Sequence, residues 1–251
     1  MTLRDCLVVG ISVLLAASGM ASEPVTLESG ETSVTFIELF TSEGCSSCPA
    51  AEKWLSQWKT KPELWTQVVP VAFHVDYWDR LGWRDRFARP EFTERQRRYA
   101  NAWRSESVYT PGFAVNGREW KGWFNGGTLP LPAAKSGNLR VTFDEDGRLT
   151  GTFSSPLSKT PSLELEAALL GSNLSSDIKR GENSGRKLVH DFVVLQVAKT
   201  PMTVEDNQAK ASLTFSPNHN GDKPTGLAAW VHPTNDIAPI QATGGWIGKK
   251  P

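Results

Sequence analysis

Cysteine is scarce in this chain: three occur in 251 residues, Cys6, Cys45 and Cys48, too few for a scaffold stapled by disulfides. An excess of one charge is also lacking, because 27 Lys and Arg balance 27 Asp and Glu. That balance leaves no net field to draw in nucleic acid or anionic lipid. After the N-terminal segment no apolar run approaches the roughly 20 residues of a membrane span. Histidine is sparse, and beyond His74 the remaining three, His190, His219 and His232, show no paired spacing of the zinc-site kind. A serine nucleophile elbow, a P-loop and a dinucleotide fingerprint are all missing. These absences set aside the common hydrolase, nucleotide-binding and zinc classes and leave the cysteines as the main source of chemistry.

The N-terminus carries Arg4, an apolar run over residues 6–17, and Gly19-Met20-Ala21 before Ser22. This reads as a secretory signal peptide over residues 1–21. The expected product is a periplasmic or secreted protein, soluble after cleavage near Ala21. Cys6 leaves with the signal, so the mature chain holds one possible intramolecular bridge, Cys45 to Cys48.

Those two cysteines stand in Thr41-Ser42-Glu43-Gly44-Cys45-Ser46-Ser47-Cys48-Pro49. Ahead lies a β-branched and aromatic run, residues 34–40; behind, Ala51, Trp54, Leu55 and Trp58 follow the apolar spacing of a helix. The CxxC therefore opens a helix after a strand. Unpaired N–H groups and the helix dipole favour thiolate there, so Cys45, read as the N-cap, is the expected nucleophile and Cys48 the resolving thiol. A structural staple is the competing reading, but closing a loop of about four residues stabilises by only about 2 kcal/mol.

A second strand is expected over residues 68–75, reached by a right-handed parallel crossover. It would bring His74, Asp76, Tyr77, Trp78 and Trp83 to the sheet edge that holds the dithiol. Residues 90–99 read as a helix started by Pro90. Asn116-Gly117 marks a hairpin, and Pro111 just before it is a candidate cis-proline facing the dithiol. This order resembles the thioredoxin fold.

Glu38-Leu39-Phe40-Thr41-Ser42-Glu43-Gly44-Cys45-Ser46-Ser47-Cys48-Pro49, His74-Val75-Asp76-Tyr77-Trp78-Asp79, Leu81-Gly82-Trp83, Arg95-Gln96, Tyr99-Ala100 and Tyr109-Thr110-Pro111 with Asn116-Gly117 together resemble the DUF1223 family. The resemblance implies an exported bacterial protein with a thioredoxin-like domain and no assigned function. Two departures are visible: Gly112 stands where a larger polar residue is expected, and residues 126–134 make poor helix. The segment 180–190 also resembles the second half of that family.

Residues 128–138 read as a linker, and short strands with turns follow it. The expected fold is thus an α/β thioredoxin-like domain over residues 22–127 followed by an antiparallel β-sandwich-like domain over residues 139–251. The expected function is thiol-disulfide exchange with envelope or secreted protein thiols and disulfides. Cys45 and Cys48 react, Pro111 shapes the partner edge, and His74 or Asp76 carries protons. Two alternatives stand beside it. Cys45, Cys48 and His74 could hold copper for delivery, or an inert disulfide could support a partner-binding groove. Glu38 is a further candidate proton acceptor, and the Gly-rich stretch 180–186 reads as a solvated turn.

Overall fold

The structure is a computed structural model that describes residues 23–131, 134–155, 161–205, 208–216, 221–248 and 250–251. The expected signal peptide, together with Pro132 and His219, lies outside these residues. Strands β1 (Val25–Glu28) and β2 (Thr35–Thr41) precede the dithiol. Helix α1 (Cys48–Ser56), strand β3 (Val68–His74), helix α2 (Pro90–Ala102) and the short pair β4 (Gly112–Val115) and β5 (Arg118–Glu119) follow. Next come β6 (Asn138–Phe143), β7 (Arg148–Ser154), β8 (Leu163–Gly171), β9 (Leu174–Asp177) and β10 (Lys187–His190). The chain closes with β11 (Val193–Pro201), β12 (Thr203–Glu205), β13 (Gln208–Thr214), β14 (Gly226–Pro233) and β15 (Gln241–Trp246).

Fifteen strands against two α-helices among the described residues overturn the expected fold class. The molecule is not an α/β thioredoxin-like domain followed by a sandwich; it is a mostly β, sandwich-like architecture. One eight-stranded sheet runs in the order β15-β14-β8-β11-β3-β2-β4-β5, and a five-stranded sheet runs β1-β6-β7-β13-β12. The physical reason lies at β3. Its VVPVAFH sequence is buried along its whole length, so its outer edge needs a partner. Distant β11 supplies one, pairing parallel at Val193 and Ala72, where the Ala72 N–H donates to Phe192 O at 2.8 Å. Sequence read locally shows the βαβ unit but not the strands that extend it.

Alternation in β2 places the helices. Phe36 and Phe40 join the core around Phe73, Phe92 and Tyr99 on the α2 side. Ile37 and Leu39 join Ala51, Leu55 and Phe113 on the α1 side, as a two-residue repeat requires. Burying each such phenylalanine contributes about 1.5–3 kcal/mol. The five-stranded sheet packs on β8 and β14 through Leu139, Val141, Leu149, Leu165, Leu169 and Leu227. The apolar stretch 188–197 falls into two strands, β10 and β11, because Phe192 turns the chain with φ 57°.

β2 and β3 pair in parallel from Thr35 and Val68 to Thr41 and His74. Both therefore end at one edge of the sheet, and the dithiol turn grows from that edge.

Candidate functional site

Cys45 and Cys48 are joined in a disulfide. Helix α1 begins at Cys48 with Ser47 as its N-cap, so Cys45 is two residues ahead of the cap and not the cap itself. The Cys48 N–H donates to Cys45 O at 3.3 Å, closing a tight turn, and Pro49 sits in the first helical turn, where its missing N–H leaves no bond unmade. The Ser47 hydroxyl lies 3.4 Å from Cys45 Sγ. Both cysteines are buried, at 1% and 0% exposure.

Turn 178–186, which links β9 to β10, lies across the backbone of the dithiol turn. Asn183 is fully buried, and its Nδ2 donates to Glu43 O and to Cys45 O, each at 2.9 Å. Exposed Glu182 accepts the Ser46 N–H at 2.9 Å, and the Ser46 hydroxyl first and this N–H second hold its carboxyl below the usual range. The stretch read as a solvated turn therefore grips the CxxC segment. Its pairing partner is 138 residues away, and local sequence offers no signal for it.

Glu43 and Glu52, on either side of the dithiol in the chain, belong to a buried cluster of carboxyls and imidazoles. Glu52, four residues after Cys48 on α1, points to the same face one turn on. Its Oε1 accepts the Thr41 hydroxyl at 2.5 Å, and its Oε2 lies 2.5 Å from His190 Nδ1. Burial raises the Glu52 carboxyl, but the His190 charge and hydrogen bond outweigh it and leave it below its usual value. For His190 burial opposes the charged form, yet Glu52 and Glu43 bring it up to about 10. His190 Nε2 is 3.3 Å from Glu43 Oε1, and Glu43 Oε2 accepts Trp83 Nε1–H at 2.6 Å.

His74 stands at the end of β3, its ring centre 5.1 Å from that of His190. Spacing along the chain disperses the three histidines beyond His74; the fold brings one of them, His190, against His74. His74 Nδ1 lies 2.7 Å from Asp85 Oδ2, which also accepts the Glu43 N–H at 2.8 Å. Burial raises the Asp85 carboxyl, and His74 more than reverses this. His74 Nε2 is buried without a hydrogen-bond partner, and His190 Nε2 and Glu43 Oε1 are buried with only their 3.3 Å ion-pair contact to each other.

The other expected site residues lie apart from this cluster. Asp76 Oδ1 accepts the Thr93 hydroxyl of α2 at 2.6 Å. Glu38 is on the opposite face of β2, bound to Arg95 and Tyr99. Thr110–Pro111 is a cis peptide bond, and this loop connects to the dithiol turn through Trp78, whose Nε1–H donates to Thr110 Oγ1 at 2.8 Å. The Trp78 Cβ would stand 2.9 Å from a Cβ at Gly44, so glycine is required there. Gly112 has the same cause: a Cβ would meet Tyr109 O at 2.9 Å. Ligand atoms of Glu52, His74 and His190 lie within 4.8 Å of one another, the sole such grouping among the described residues, and neither cysteine belongs to it. No helix among them is long and apolar enough to cross a membrane.

Fold and site together define a class: a β-rich protein with a CxxC disulfide set at a helix start and a buried histidine–carboxylate cluster. Over residues 36–232 the chain matches the model of the protein family of unknown function DUF1223, and it belongs to that family. A structural-genomics crystal structure of a protein from Agrobacterium tumefaciens is 25% identical, with a TM-score of 0.59 across 84% of this chain and 94% of that one. HBP35 of Porphyromonas gingivalis is 17% identical, with a TM-score of 0.60 across 86% of this chain and 76% of that one, a likeness of fold. No curated protein matches.

Proposed function

We propose that the protein acts by reversible thiol-disulfide exchange at Cys45–Cys48, with thiols or disulfides of envelope or secreted proteins as partners. The observation that carries this reading is the placement of the bridge. It spans three positions at the start of α1, where it adds little stability, and it is held by a turn from a distant hairpin through Asn183. A staple of so small a ring needs no such cover; a reactive bridge kept from chance thiols does.

In the exchange a partner thiolate attacks Cys45 Sγ, the Cys45–Cys48 bond breaks, and Cys48 leaves as thiolate, stabilised at the helix N-terminus. A second partner thiolate attacks the partner's sulfur of the mixed disulfide and releases Cys45. The partner leaves oxidised and the CxxC pair reduced; the reverse sequence oxidises the pair. With Cys45 only 1% exposed, turn 178–186 has to lift before attack, so the rate-setting event is opening of the Asn183 contacts. Export to an oxidising compartment, read from residues 1–21, fits a cycling disulfide.

The test compares insulin reduction under dithiothreitol by the wild type and by Cys45→Ser, with Asn183→Ala as the opened form. The reading expects activity in the wild type, none in Cys45→Ser, and faster turnover in Asn183→Ala. Equal rates in the wild type and Cys45→Ser reject it.

A further inference from the structure

We infer that the buried cluster of carboxyls and imidazoles is a binding site for a divalent transition-metal ion, ligated by Glu52, His74 Nε2 and His190 Nδ1. The inference does not rest on disulfide exchange and leaves both cysteines outside the ligand set.

Ligand supply comes first. One carboxylate and two imidazoles suit zinc and its first-row neighbours, and three protein ligands leave a further position open. Their ligand atoms already lie within 4.8 Å of one another. Donors around a tetrahedral zinc ion stand about 3.4 Å apart, so the widest pair has to close by little more than 1 Å. Glu52 and His190 Nδ1 are now 2.5 Å apart across one shared proton, and the cation takes that proton's place.

The surrounding shell is already built. Metal-bound imidazoles donate their second N–H to a carboxylate or carbonyl, which fixes ring orientation. His74 Nδ1 faces Asp85 at 2.7 Å, leaving Nε2 buried and unpartnered. With His190 bound through Nδ1, its Nε2–H keeps the 3.3 Å contact it already makes with Glu43 Oε1. The ligand carboxylate is held in turn by the Thr41 hydroxyl at 2.5 Å. One ion thus gives a partner to His74 Nε2, whose burial without one otherwise stands as an uncompensated desolvation cost.

Charge points the same way. Glu43, Glu52 and Asp85 bring three carboxyl groups into a buried volume, and neither Lys nor Arg pairs with any of them among the described residues. Buried charges are paired or coordinate metals; the His74 and His190 imidazoles now pair these carboxyls, and a divalent cation bound between them supplies the same balance.

The test loads chelator-treated full chain with Zn(II), removes excess by gel filtration and measures bound metal by mass spectrometry. Co(II) substitution follows, read by its d–d absorption. The inference expects one ion per chain, a ligand-field band from nitrogen and oxygen donors, and a higher melting temperature than the metal-free protein. His74→Gln and His190→Gln are expected to bind at least tenfold more weakly, while Cys45→Ser/Cys48→Ser binds as the wild type does. Less than stoichiometric metal in the wild type, binding untouched by both histidine changes, or binding lost with the cysteines would each overturn it. Should the histidine variants not fold, imidazole ¹⁵N shifts of the wild type on adding Zn(II) decide instead. Shifts at His74 and His190 support the site, and their absence contradicts it.

Discussion

Two buried polar clusters lie on opposite faces of the same β2–β3 pair, and they are built differently. On the α2 face Arg95 is the hub. Its Nε donates to Glu38 Oε1 at 2.6 Å and its Nη1 to both oxygens of Glu166 at 2.9 and 3.0 Å. Tyr99 and Trp230 complete the set, so all four carboxylate oxygens have donors, while Arg95 Nη2 and His232 Nε2 are buried without a hydrogen-bond partner. On the α1 face the hub is a pair of imidazoles among three carboxyls, with His74 Nε2 left unmet. A guanidinium is a permanent cation with a rigid fork; an imidazole changes its charge, tautomer and ligands. The first cluster is a fixture that ties α2 to β2, β8 and β14, and the second flanks the dithiol in the chain, with chemistry still available to it.

The largest effect is expected from breaking the fixture. Arg95→Met leaves Glu38 buried without a cation and Glu166 with His232 alone, and denaturant unfolding should show a loss of about 3–5 kcal/mol, with the rate of Cys45–Cys48 reduction in the folded protein unchanged. If that reduction rate moves with stability, the two faces are not separate in function.

Acid sharpens the same contrast. Burial alone would raise the Glu166 carboxyl, but Arg95 and His232 bring it from 4.5 down to about 2. A depressed carboxyl contributes stability that is full above about pH 4.5 and is lost as pH falls toward 2. The shift corresponds to about 3 kcal/mol. Unfolding free energies measured between pH 6 and 2 should fall in the wild type, and Glu166→Gln should flatten that limb.

On the other face effects on stability shrink and effects on reactivity appear. Asn183→Ala leaves the carbonyls of Glu43 and Cys45 without their donor, a loss of about 2 kcal/mol, and reduction of the disulfide by dithiothreitol should speed severalfold. Smallest is Glu182→Gln. The side chain is exposed and its bond to Ser46 N–H survives in weaker form, so no stability change is expected in melting curves, only a slight quickening of reduction.

Much of this was legible in the sequence. The CxxC at a strand-to-helix turn, the parallel return to His74, α2 and most of the later strands follow from local pattern and turn chemistry. Glu52 carries a local signal: an acid one helical turn after Cys48, on the face that buries Ala51 and Leu55. His190 and Asn183 carry none, because their places depend on a hairpin that docks more than 130 residues from its target. Fold class failed for the same reason. Nothing within β3 names β11 as its neighbour, and it is that long-range pairing that joins the two halves into one sheet.

Equilibrating the native protein in redox buffers, with alkylation to trap free thiols, tests the reactive-bridge reading most directly. A cycling pair should pass from disulfide to dithiol at a potential above about −300 mV. A bridge still fully oxidised in buffers well below that value would be a structural link, and the proposed exchange would be wrong.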